Sequence, residues 1–181
     1  MSTTTHLITA DELFQLEDDG TRHELVKGEL LTMSPTGEEH AAITMRLSGL
    51  IDPYVRANNL GTAYSEGGFK LESDPDTVLA PDIAFIRRER VGTISSRYRA
   101  GAPDLVVEVL SPNDRKARVE EKTATWLSLG VSVVWLVNPK AKTVDVRLSN
   151  GEQTLLTENE ELDGGELIPG FRVRVSEIFS L

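Results

Sequence analysis

Positions 105–110 read LVVEVL, an aliphatic run broken only by Glu108. A run of this kind marks a strand buried on both faces, so the chain must build a sheet with a layer packed against each side. The same run poses a charge problem. An ionised carboxylate buried there costs on the order of several kcal/mol unless a cation or strong donors meet it. Two further acids interrupt apolar strands, Glu66 and Asp82. Asp82 opens DIAFI after Pro81, at a strand end, while Glu108 lies inside the following strand. Pairing of those strands brings the two carboxylates together. Two readings are then open. The acids seat a hard divalent ion such as Mg2+ or Mn2+, with waters completing the shell, or they pair with arginine and backbone donors.

The remaining segments supply the layers. TADE at 9–12 has the form of a capping box, with Thr9 as N-cap and Glu12 three residues on, and predicts a short helix stopped at DDG. RHELVKGELLTMSP reads as two strands turning at Lys27-Gly28. A long helix is expected from near Thr36 to Asn59 and Gly61, its apolar stripe formed by Ile43, Leu47, Leu50, Ile51, Tyr54 and Val55. Pro53 should bend or restart it. TAYSEGGFKL, TVLAPDIAFIR and PDLVVEVLS follow as strands. SPND opens a second long helix from about Asn113 to Leu129, and VSVVWLVNP is another buried strand. A hairpin turning at Asn150-Gly151 and a closing strand with a helical stub end the chain. The fold class is α+β (α/β): helix, three strands, helix, strand, with an N-terminal hairpin and a C-terminal β extension. Residues 1–181 read as a single domain.

Composition excludes several chemistries. The absence of cysteine rules out disulfides, zinc thiolate sites and thiol nucleophiles. The N-terminal residues have no basic start followed by an apolar run, and no stretch reaches the length of a membrane span. The expected location is cytoplasmic, with no membrane partner. P-loop, dinucleotide and serine-elbow motifs do not occur. The formal charge of −10 is the wrong sign for a nucleic-acid binder, but between Phe85 and Lys122 nine Lys/Arg face six acids. That segment is locally positive. Any DNA binding is therefore expected to be weak and salt-sensitive.

PDIAFIRRER, GAPDLVVEVLSPNDR, EEKTATWLSLGVSVVWLVNP and LDGGELIPGF, in this order, resemble the bacterial Uma-two family. HELVKGELLTMSPTGEEH is similar to that family's N-terminal signature. The resemblance runs from about Asp11 to Phe179. It implies a restriction-endonuclease-like core of the PD-(D/E)xK superfamily, a metal-dependent phosphodiesterase using Mg2+ or Mn2+. Asp82 corresponds to the first acid and Glu108 to the second, both as metal ligands. Two residues beyond the second acid the superfamily usually carries lysine, and this chain carries Leu110. The matching amino group is Lys122, in the following helix. Helical spacing sets Val119, Lys122, Trp126 and Leu129 on one stripe. His40 matches a family histidine, with a role near the scissile phosphate or as an outer contact that supports the ligands. Glu66 matches a family acid, as a third ligand or an outer acceptor. Arg87, Arg88, Arg115, Lys116 and Arg118 are candidates for contact with the DNA backbone. The resemblance also implies a homodimer.

The leading expectation is a DNA endonuclease. Two rivals stand beside it: a non-catalytic DNA- or protein-binding domain on the same fold, favoured by the acidity and by Leu110, and a small phosphate-ester hydrolase. Asp104, His6, His23 and the Trp126–Val134–Trp135 group are expected to be structural or superficial.

Overall fold

The structure is a computed structural model that describes residues 6–17 and 20–180. Its first element is α1 (Ala10–Gln15), whose N-cap Thr9 and Glu12 form the expected reciprocal capping box. Asp18 and Asp19, where the stop was expected, lie outside the described residues. A hairpin follows, β1 (Arg22–Val26) and β2 (Glu29–Met33), turning at Lys27 and Gly28 with φ of 50° and 78°. Only the glycine adopts that left-handed geometry without cost.

The first long helix, α2 (Glu38–Ala57), buries Ile43, Leu47, Ile51 and Val55 at helical spacing. It starts two residues later than expected and runs through Pro53 without interruption. Pro53 lies on the exposed face, so the buried stripe survives the lost hydrogen bond.

Two expected strands are each divided. TAYSEGGFKL becomes β3 (Gly61–Ser65) and β4 (Phe69–Glu72), parted at Gly67-Gly68. TVLAPDIAFIR becomes β5 (Thr77–Leu79) and β6 (Ile83–Arg87), parted around Pro81, which has no N–H to continue a ladder. There follow α3 (Arg88–Val91), β7 (Arg99–Ala100), β8 (Leu105–Val109), α4 (Lys116–Ser128) and β9 (Val133–Asn138). The chain closes with β10 (Thr143–Leu148), β11 (Gln153–Leu156), β12 (Glu161–Asp163), β13 (Arg172–Arg174) and α5 (Val175–Ile178).

The main sheet has the order β11-β10-β9-β8-β6-β3. β3, β6 and β8 pair antiparallel, whereas β8 and β9 are parallel, and α4 supplies the crossover that a parallel pair requires. This is the expected order of helix, three strands, helix, strand. β4 and β5 leave it to join β1, β2 and β7 in a second sheet.

Alternation along the central strand sets the site. Leu105, Val107 and Val109 face the core shared with α2 and the C-terminal elements, whereas Val106 packs with Trp126 of α4. Leu105, Val106, Val107 and Val109 are all buried, as the aliphatic run required. Glu108, two residues from Val106, thereby shares the α4 face. Leu79 and Val26 of the second sheet pack into the same cluster, which brings the N-terminal hairpin to Glu108.

Candidate active site

Ile83 pairs with Val107 across β6 and β8, so Asp82 and Glu108 are opposed one position beyond. Asp82 is buried and tightly held. Its Oδ2 accepts from the backbone N–H of Val109 at 2.7 Å and lies 3.2 Å from His40 Nε2. Its Oδ1 lies 3.9 Å from Arg22 Nη1. His40 stands in the first turn of α2, buried, with Nδ1 3.5 Å from Thr44 Oγ1. The hydrogen bond to Asp82 raises the imidazole's pKa despite burial. In Asp82 the same bond and neighbouring charges outweigh desolvation and lower the carboxyl's pKa.

Glu108 meets α4. Its carboxylate accepts from Trp126 Nε1 at 2.9 Å and from Lys122 Nζ at 3.1 Å. Lys122 also donates to Glu24 Oε1 at 3.3 Å, and the Ala80 N–H donates to the same oxygen at 3.0 Å. Lys122 comes to the sheet because it shares the α4 stripe with Val119 and Trp126, which pack into the core beneath it. Its ammonium is held charged by Glu108 and Glu24, well above the usual lysine range. Glu108 moves the other way from a simple ion pair. Burial, with Asp82 and Glu24 nearby, raises its pKa although Lys122 pulls it down. Glu108 and Glu24 therefore share one ammonium, whereas Asp82 has His40 and Arg22 beside it, so the glutamate pair is the part of the site short of positive charge.

That shortage bears on the metal. Among the described residues no three His, Asp or Glu side chains converge as they stand to hold an ion. Asp82 and Glu108 instead offer two hard oxygen ligands, Glu108 belonging to the pair short of positive charge, and Mg2+ and Mn2+ accept such ligands with waters and substrate oxygens completing the shell. The donor set fits such an ion.

Glu66 stands further out. Its side chain is 60% exposed and pairs with Arg22 Nη1 at 3.2 Å, which links that carboxylate to Asp82, while the Glu66 backbone N–H donates to the Asp82 carbonyl at 3.3 Å. Of its two expected roles, the outer acceptor matches this geometry. Arg87 and Arg88 lie away from the carboxylates. They occupy the opposite end of β6 from Asp82, and Arg87 is bound to buried Asp104 through its N–H at 2.9 Å and its Nε at 3.2 Å. Asp104 also takes Arg90 at 2.7 Å, which makes it the structural anchor expected. Arg115, the N-cap of α4, with Lys116 and Arg118 just inside, lies beyond the C-terminal end of β8, on the side of the carboxylates.

Sequence reasoning missed Glu24, Arg22 and the indole of Trp126. Glu24 is 1% exposed, beside fully buried Leu25. Two consecutive buried residues mean that both faces of β1 are covered, and an acid in such a place was the available signal. Trp126 was expected as core, which it is, but its N–H also holds Glu108.

Residues 10–176 match the Uma2 family, described as "Putative restriction endonuclease". Among curated proteins, "Uncharacterized protein sll1609" of Synechocystis sp. is 27% identical over 109 residues, 60% of this chain. The match spans 61% of that relative's length. Among solved structures, the crystal structure of "a putative nuclease belonging to DUF820" from Anabaena variabilis superimposes with a TM-score of 0.82. It is 22% identical, with 96% of this chain and 98% of that one covered, a likeness of fold. No helix among the described residues is long and apolar enough to cross a membrane.

Proposed function

The chain belongs to the Uma2 family, and from that premise we propose that it is a metal-dependent nuclease that hydrolyses phosphodiester bonds of DNA. The observation that carries the reading is the opposition of Asp82 and Glu108 across β6 and β8, with the Lys122 ammonium on the same face. Asp82 and Glu108 would hold the ion. When bound, a divalent ion supplies an activated water and neutralises charge on the phosphate.

The chain's own residues do the rest. His40 and the Val109 N–H keep Asp82 in one orientation, and Trp126 does the same for Glu108. Lys122 donates hydrogen bonds where negative charge builds on the phosphate oxygens. Glu24 accepts a second hydrogen bond from Lys122 and helps hold it in place. Arg115, Lys116 and Arg118 meet the backbone of the strand, and a second copy of the chain serves the complementary strand of a duplex.

Cleavage of a labelled duplex should appear with Mg2+ or Mn2+ and disappear with EDTA. With Ca2+ as a non-cleaving substitute, anisotropy should show weak binding that falls steeply with salt, because a locally positive segment works against a net charge of −10. Binding that persists with no cleavage under any divalent ion would assign the chain to a non-catalytic role. Cleavage of small phosphate esters alone would replace DNA as the substrate.

A further inference from the structure

A cavity of about 370 Å³ has Arg22, Glu66, Gly68, Ala80 and Tyr98 among its walls. Its size is within the range of small-ligand sites. It adjoins the active site, because two of its walls, Arg22 and Ala80, also contact the site's carboxylates. Ala80 donates its N–H to Glu24, and its carbonyl accepts from Arg22 Nη2. Arg22 Nη1 lies 3.2 Å from Glu66 and 3.9 Å from Asp82, and its Nε is buried with no hydrogen-bond partner. Arg22 therefore stands between Asp82 and Glu66 with both terminal nitrogens engaged, and what it brings to the cavity wall is its positive charge.

The opposite wall is aromatic and firmly seated. A Cβ on Gly68 would lie 2.4 Å from the Tyr98 ring, so glycine is what lets the ring approach the backbone. Phe14 meets Tyr98 edge-on at 5.4 Å, and the Arg97 guanidinium sits 4.8 Å from the centre of the Phe14 ring. Tyr98 also packs against the cluster of Ala10, Leu13, Leu25 and Val78.

Resting on the nuclease reading, we propose that this cavity is a nucleotide subsite that takes one unpaired base next to the scissile phosphate. The base lies against Tyr98, its polar edge faces Glu66, and Arg22 meets the adjoining phosphate. A base inside a duplex exposes only its edge and could not present its face to Tyr98, so the subsite favours single-stranded, flapped or unstacked substrate.

The test is binding of the full chain, in Ca2+, to a single-stranded oligonucleotide carrying 2-aminopurine and to a fully paired duplex. The 2-aminopurine emission should change on binding. Tyr98→Leu keeps apolar packing, and it should weaken single-strand binding about tenfold or more while duplex binding moves by less than about twofold. Tyr98→Phe should restore the parent affinity. An unchanged emission with the parent protein overturns the proposal without any variant, as does an equal loss on both substrates or on neither. These readings need no cleavage, so an inactive protein that retains the single-strand preference would reject the nuclease reading and keep the subsite.

Discussion

Lys122→Met should lower the cleavage rate about a hundredfold or more under saturating metal, the cost of removing one well-placed donor from a site of developing charge. Methionine keeps most of the apolar stem, so little packing is lost. The electrostatic effect is larger. Lys122 Nζ lies 3.0 Å from Glu108 and 3.3 Å from Glu24, and its loss leaves two buried carboxylates facing one another. In EDTA the variant should lose about 3–5 kcal/mol of stability, as for other broken buried pairs. Mn2+ should restore most of that loss and bind the variant at least as tightly as the parent, because no ammonium competes for Glu108. Melting curves with and without Mn2+, beside single-turnover rates, check all three. A variant that cuts at the parent rate would make Lys122 a structural lysine and move the catalytic cation to Arg115 or Arg118.

Glu108→Gln should abolish metal binding and cleavage and leave the metal-free fold intact or more stable. Glutamine still offers an oxygen to Trp126 Nε1, and Lys122 keeps Glu24. The sign follows from the raised pKa of Glu108, whose leading cause is burial. A folded state that holds a proton more tightly than the unfolded chain loses stability as pH rises from the ordinary carboxylate value through the raised one. The advantage of glutamine should thus be full above that window and vanish below it. Chemical unfolding across pH, without metal, is the measurement. A loss of about 3–5 kcal/mol at neutral pH would instead make Glu108 the essential half of a structural ion pair.

What the sequence made legible follows from pattern and pairing. The aliphatic run at 105–110 required a strand covered on both faces, and alternation within it directs Glu108 to the α4 face. Pairing of neighbouring strands sufficed to bring Asp82 opposite it. The illegible part is non-local. TVLAPDIAFIR looks like one strand, but Pro81 ends the ladder and sends its two halves to different sheets. That division makes room for the N-terminal hairpin to deliver Glu24 and Arg22 from more than fifty positions away. Nothing in the periodicity of β1 announces such a partner, because alternation reports which face is covered and not by what. Arg87 shows the converse. It is close to Asp82 in sequence, but an extended strand separates them, and buried Asp104 holds the arginine at the far end.

Asp82 and Glu108 together are expected to hold a divalent ion. Crystals grown with Mn2+ and measured at a wavelength where manganese scatters anomalously test it most directly. The expected result is a single strong peak about 2.0–2.6 Å from a carboxylate oxygen of each residue, with the Lys122 ammonium displaced from Glu108. No peak there, or manganese bound elsewhere while Lys122 still bridges Glu24 and Glu108, would contradict it.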